Sequence, residues 1–183
     1  MTLTTSVACD RSETGRRIAG FDWSEIAPAL DDRGYALTQP VLTSAECEGL
    51  IRLYAKREAF RSRVVMARHN FGRGEYQYFA DPLPALVVAL REQFYSPLAE
   101  IANRWAERLE QTERFPATLP EFLEVCLRKR QTLPTPLMLR YEAGDYNCLH
   151  QDLYGDVAFP LQAACVLSGH RIDYTGGEFL LTE

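Results

Sequence analysis

The chain has 183 residues, 46% of them hydrophobic, with a formal net charge of -5. That length suits one domain with a proper core, and the composition excludes a disordered chain. No apolar run reaches the span of a membrane helix, and the mild acidity argues against sequence-independent nucleic-acid binding, which needs a basic surface.

The five cysteines are Cys9, Cys47, Cys126, Cys148 and Cys165. They are scattered and odd in number, with no CxxC spacing, which excludes a zinc ribbon or thioredoxin-like motif and suggests no disulfide framework. The N-terminus, MTLTTSVACDRSETGRR, lacks the apolar stretch of a secretory signal. A reducing, cytoplasmic setting is therefore expected.

Residues 1–20 carry few large apolar groups and are expected to be a mobile tail, with a single domain over 21–183. Phe21, Ile26 and Leu30 have helical spacing and Gly34 follows them. Tyr35 to Leu42 reads as a short strand interrupted by Pro40. Thr43 to Glu46 is a capping-box pattern, and Cys47, Leu50, Ile51 and Tyr54 then mark one helical face. Over 60–80 the aromatic residues Phe71, Tyr76, Tyr78 and Phe79 surround Gly72 and Gly74, which predicts a strand, a glycine-rich turn and a second strand.

Pro82 and Pro84 suit a helix start. Leu83, Leu86, Val87, Leu90 and Phe94 form one stripe, and Leu98, Ile101, Trp105 and Leu109 form another. Pro97 lies between them and predicts a kink or two helices. Glu121 to Arg130 reads as a short helix whose last residues, Arg128-Lys129-Arg130, suit the negative end of its dipole. Strands are expected at 137–141, 147–152, 161–167 and 177–182, with a turn over 142–145 and another at Tyr174 to Gly177. Helices come first and strands last, which favours an α+β arrangement or a helix-backed β-sandwich.

The informative segment runs from Arg140 to Asp152 and contains His150-Gln151-Asp152. On a strand, residues i and i+2 project from one face, so the imidazole and the carboxylate can point at one metal ion. Two such groups are part of a 2-His-1-carboxylate facial triad, which binds Fe(II) and leaves open positions for co-substrate and O2. The tripeptide alone reads more readily as a surface His beside an Asp, because so short a motif recurs by chance. Its surroundings add to it: a strand ending in Tyr141, a glycine-containing turn, Tyr154-Gly-Asp156, an apolar stretch, then Tyr174-Thr-Gly-Gly-Glu-Phe179.

This string resembles the non-haem Fe(II)- and 2-oxoglutarate-dependent oxygenases, in the prolyl-4-hydroxylase-like branch. Those proteins show a strand ending R-Y-x-x-G, then H-x-D, then a Y-x-G-G-E turn into another strand. The resemblance is specific over 137–182, weaker over 34–80 and absent over 1–33. It implies a double-stranded β-helix of the jelly-roll or cupin-like kind, with the helices at 82–130 supporting the barrel. It implies His150 and Asp152 as iron ligands, with no catalytic residue separate from them. It places Tyr141 on the 2-oxoglutarate carboxylate; a buried core tyrosine would read the same way in sequence. The cofactor set is Fe(II), with 2-oxoglutarate as co-substrate and ascorbate as a candidate reductant. Gly176 and Gly177 serve the turn, where positive φ is needed, and Glu178 is left outside the ligand set.

The family's distal His and the Arg or Lys that anchors 2-oxoglutarate have no match here. His170, in Ser168 to Asp173, reads as an exposed loop residue, and Arg171 does not match the anchoring base. His69 lies upstream and out of order and reads as a loop or pocket residue. The chain ends at Glu183 within a strand-like run, so the expectation is the front part of a longer oxygenase with an incomplete barrel. Two ligands do not fix a facial site, so these residues alone are expected to turn over weakly or not at all. The expected activity of the whole is hydroxylation of a C–H bond with O2 and 2-oxoglutarate, releasing succinate and CO2. The substrate is a small molecule or a peptide or protein; the sequence gives no oligomeric state. A non-catalytic cupin-like binding module and a degenerate oxygenase scaffold stay open, because this fold class hosts each role.

Overall fold

The structure is a computed structural model and describes residues 11–152 and 155–182. In chain order its elements are α1 (Arg11–Ala19), α2 (Trp23–Arg33), α3 (Ser44–Leu53), β1 (Phe60–Val65), β2 (Gly72–Arg73), β3 (Glu75–Phe79), α4 (Ala85–Arg108), α5 (Leu119–Arg128), β4 (Leu137–Arg140) and β5 (Tyr146–Asn147). They form two compact units, one of Met1–Thr43, Ala85–Thr132 and Tyr154–Ala164, the other of Ser44–Pro84, Leu133–Leu153 and Cys165–Glu183. The fold is mixed α+β, with helices and small antiparallel sheets. Among the described residues no barrel closes, and no helix is long and apolar enough to cross a membrane.

The first unit is helical. Asp22 starts α2 by accepting the backbone amides of Ser24 at 3.0 Å and Glu25 at 3.3 Å, so the helix begins just after the expected Phe21. Gly34 ends it in the left-handed conformation, φ 73°. Helix α4 runs through Pro97 as one helix rather than two. Its buried face includes Ala89, Ala99, Ala102 and Ala106, small side chains that allow close helix approach.

Residues 11–19 correct the expected tail. They form α1, which packs on α4 and buries Thr14 and Ile18 at 0% and 2% exposure. Gly15 also lies close against Gln93 of α4, and a count of large apolar groups reveals neither this approach nor the buried threonine. The expected tail over 1–10 lies outside the described residues. Trp105 Nε1 and Arg108 Nη1 both donate to the Asp31 carboxylate, at 2.5 and 2.8 Å, and join α2 to α4. Leu109, expected on the apolar stripe, is exposed because α4 ends at Arg108.

Helix α5 starts before the expected Glu121. Thr118 and Glu121 form a reciprocal capping box. Phe122 of α5 packs with Tyr95, Phe115 and Phe159, ring centroids 5.3–5.9 Å apart. Asn103 holds the Phe115 backbone with two hydrogen bonds, 2.8 and 2.9 Å. Gln131 holds the Val157 backbone in the same way, 2.8 and 2.9 Å.

The second unit carries a three-stranded antiparallel sheet, order β1-β3-β4, and a two-stranded pair, β2-β5. The expected strand–turn–strand at 60–80 is present, as is the strand at 137. One sheet face buries Phe60, Phe79 and Met138, with Phe60 and Phe79 stacked at 5.0 Å. Gln77, buried on this face, donates to the Tyr54 carbonyl at 3.0 Å, which removes the cost of an unpaired amide. Tyr54 Oη and Arg63 converge on Glu75. The opposite face carries Tyr76 and Tyr78, edge to face at 5.5 Å.

Four expected strands are corrected. Residues 35–42 have no strand pairing, the 147–152 strand ends at Asn147, and 161–167 and 177–182 are not strands. A strand exists through its cross-strand bonds, and these segments have no ladder partner among the described residues. Val166, Phe179 and Leu180 are accordingly exposed. The double-stranded β-helix expectation therefore meets an open arrangement of small sheets in this chain.

Candidate metal centre

The turn between β4 and β5 is closed from both ends. The Asp145 amide donates to the Glu142 carbonyl at 3.0 Å, and the Asp145 carboxylate accepts the Glu142 amide at 2.9 Å. Gly144 lies at its tip with φ 81°, a conformation that suits a residue without Cβ. Arg140 bonds Glu142 at 2.6 Å as the chain enters this turn.

Strand β5 then pairs with β2, Gly72 opposite Asn147 and Arg73 opposite Tyr146. Gly72 has φ 119°, and a Cβ there would run into the Tyr146 carbonyl and lie 3.1 Å from Asn147 Cα and Cys148 N. The two backbones touch, and only glycine permits it. The pairing continues one step past the strand, where the Cys148 amide donates to the Phe71 carbonyl at 2.8 Å.

Cys148 in turn orients His150. The imidazole Nδ1 lies 2.8 Å from the Cys148 carbonyl oxygen. A carbonyl only accepts, so Nδ1 carries the proton and Nε2 is left to face outward. Nε2 lies 3.4 Å from Asp152 Oδ1. The two side chains are 44% and 41% exposed, open enough for a ligand to reach them. The i, i+2 pair meets although 148–152 is not a regular strand; the Cys148 carbonyl does the aiming that the pleat was expected to do.

The donor set suits a divalent ion. Neighbouring ligands at about 2.1 Å from one metal lie about 3 Å apart, close to the separation of this nitrogen and oxygen. A ring nitrogen whose partner N–H is committed to a carbonyl is also the common arrangement of a metal-bound histidine. Among the described residues no group of three His, Cys, Asp or Glu gathers as a metal site, so this pair provides two positions and no third.

Tyr141 lies just past β4. Its ring packs on Gly74, where an added Cβ would meet Cδ1 at 2.8 Å. Burial raises its phenol above the ordinary range, the Asn147 hydrogen bond works against that shift and the Asp145 charge adds to it. The tyrosine is exposed, at 44%, and is tied to β5, within the strand pair that carries the His–Asp segment. Tyr154 of the sequence motif lies outside the described residues.

The remaining candidates are placed as follows. His170 is exposed in a tight loop, where the Gly169 amide meets the Asp173 carboxylate at 2.7 Å and the His170 ring tilts against Tyr174 at 5.4 Å. Arg171 beside it is exposed with φ 67°. Gly176 and Gly177 both take φ 74°, as the expected turn requires. His69 is an exposed loop residue stacked on Phe71 at 5.4 Å. Sequence reasoning missed the Phe71–Cys148 bond, whose only trace was Gly72.

A family model described as "Oxygenase, catalysing oxidative methylation of damaged DNA" matches residues 74–183. Two uncharacterized proteins from strains of Mycobacterium tuberculosis are each 44% identical to this chain over 105 residues, 57% of this chain and 45% of the relative. The chain thus spans less than half the length of these curated relatives. No solved structure matches. The family match covers more than half of the 183 residues and includes the His150–Asp152 pair, β4 and β5: the chain belongs to this oxygenase family.

Proposed function

We propose that the protein is an Fe(II)- and 2-oxoglutarate-dependent oxygenase that hydroxylates a C–H bond, with His150 and Asp152 as two iron ligands. The observation that carries this reading is the aimed pair. His150 Nδ1 is committed to the Cys148 carbonyl at 2.8 Å, and Nε2 faces the Asp152 carboxylate at 3.4 Å. An imidazole nitrogen and a carboxylate oxygen at this separation are the kind of donors that one cation between them would draw together.

When bound, the iron supplies activation of O2 together with 2-oxoglutarate: one oxygen atom goes into the substrate C–H bond, the other into succinate, and CO2 leaves. The chain's own residues do the positioning. Cys148 fixes the imidazole, the β2–β5 pair fixes Cys148, and the Asn147 hydrogen bond holds Tyr141 for the 2-oxoglutarate carboxylate. The prolyl-4-hydroxylase-like branch and its double-stranded β-helix belong to this proposal, supported by the motif string over 137–182 and by the antiparallel pairing of β1, β3 and β4. Ascorbate is included as an auxiliary reductant. The family description names damaged DNA, which joins small molecules and peptides as a substrate class.

The test is succinate formation by the natural full-length protein with Fe(II), 2-oxoglutarate, O2 and candidate substrates. Asp152→Ala abolishes it at unchanged thermal stability; retained turnover overturns the ligand assignment. A second reading, a binding module without oxygenase chemistry, draws on the absence of a third metal donor among the described residues. Substrate binding without any succinate would favour it.

A further inference from the structure

We propose that Asp145 is a positioning residue for 2-oxoglutarate: it fixes the turn after β4, and through that turn it holds Tyr141 for the co-substrate carboxylate. The inference deepens the oxygenase reading and rests on it for the role of Tyr141.

The segment 141–146 meets the corner Gly72-Arg73-Gly74 at three points. The Tyr141 ring packs on Gly74, where an added Cβ would meet Cδ1 at 2.8 Å. The Tyr146 carbonyl lies against Gly72. Between them, Asp145 Oδ1 lies 3.9 Å from Arg73 Nε. The shape of the intervening turn comes from Asp145. Its Oδ2 accepts the Glu142 amide at 2.9 Å, and its own amide donates to the Glu142 carbonyl at 3.0 Å. The Asp145 side chain is only 15% exposed. A carboxylate so far out of water needs its oxygens occupied; here one caps an amide and the other faces a guanidinium.

Other bonds in the turn are weaker holds. The Arg140–Glu142 ion pair is exposed on both sides, and such pairs contribute little. Nothing lies within 4 Å of a Cβ built on Gly144 at the tip, so no neighbour supports the turn in that direction. Tyr141 opens the turn directly after β4, and releasing the Glu142 amide therefore releases the residue beside the tyrosine. The Asn147 hydrogen bond favours the charged phenol, as an amide N–H donating to the phenol oxygen does. The phenol O–H is then left to donate to an incoming carboxylate. The Asp145 charge favours the protonated phenol, the form that can make that donation.

Two measurements test this. In the iron-free protein, the nuclear Overhauser contact between the Tyr141 ring and Gly74 Hα reads the ring's position directly. The parent shows it and Asp145→Ala loses it. Asp145→Asn, whose side-chain carbonyl can still accept the Glu142 amide, keeps it. In the natural full-length protein, Asp145→Ala raises KM for 2-oxoglutarate at least about tenfold with kcat held within about twofold, and Asp145→Asn restores KM. Where Asp145→Ala does not fold, Asp145→Glu replaces it: the charge stays, the carboxylate moves by one methylene, and KM rises in the same way. An unchanged Tyr141–Gly74 contact in the Ala or Glu variant overturns the proposal, as does a loss confined to kcat, which marks a purely structural role. The ring contact needs neither iron nor co-substrate, so its failure concerns Asp145 alone. A parent that forms no succinate is instead a failure of the oxygenase reading.

Discussion

Replacing Gly72 with alanine strikes the backbone contact on which the site is built. The residue has φ 119°, and its Cβ would enter the Tyr146 carbonyl while crowding Asn147 Cα and Cys148 N at 3.1 Å. Holding a side-chain-bearing residue in that conformation costs about 1–3 kcal/mol. Relieving the overlap requires β2 and β5 to separate by about 1 Å, which breaks the Cys148–Phe71 bond and loosens the ladder beside it, at about 0.5–1.5 kcal/mol per hydrogen bond. Together these give a loss of about 2–5 kcal/mol. Gly144→Ala is the internal reference, since its φ is 81° and nothing lies within 4 Å of an added Cβ; it carries only a backbone cost of about 1–2 kcal/mol. Urea unfolding followed by far-ultraviolet circular dichroism measures both, and amide exchange reports Cys148 directly. If Gly72→Ala is no more destabilised than Gly144→Ala, and its Cys148 amide is equally protected, the reasoning about this contact is wrong.

Other outcomes follow from single groups. Burial first, then the Glu75 hydrogen bond and charge, push the Tyr54 phenol from 10.0 to about 12. The folded state thus holds this proton more tightly than the unfolded chain; its contribution is intact below pH 10 and lost as pH rises toward 12. Alkaline unfolding should therefore steepen above pH 10 in the parent and flatten in Tyr54→Phe; identical profiles would refute this. Gln131→Ala removes both bonds to Val157 and should cost about 1–3 kcal/mol, with the Val157 amide exchanging faster; unchanged exchange would show that other contacts hold that segment. Cys148 aims His150 through its backbone, so Cys148→Ser should keep metal affinity within a factor of about two; a large loss would implicate the thiol itself.

The legible parts of the sequence were those with local causes. Gly34, the capping pattern at Thr43 and the alternation of Tyr76 to Tyr78 marked α2, α3 and β3, because caps and pleats act over a few residues. Helix α1 escaped because it buries a small polar residue, Thr14, and one large apolar residue, Ile18. The apolar runs at 161–167 and 177–182 have strand-like composition, yet strands need a partner backbone that composition does not specify. The approach of His150 to Asp152 was readable as H-x-D, but the orientation of the imidazole by the Cys148 carbonyl was not, since a backbone acceptor leaves no trace in residue type.

Anaerobic Fe(II) titration by equilibrium dialysis addresses the proposed iron ligands, His150 and Asp152, themselves. The account predicts that the parent protein binds iron and that His150→Ala and Asp152→Ala each weaken that binding at least tenfold, the scale of metal-site perturbations, while both variants keep the parent's circular dichroism. Iron bound with the same affinity and stoichiometry by the doubly substituted His150→Ala/Asp152→Ala protein would contradict it.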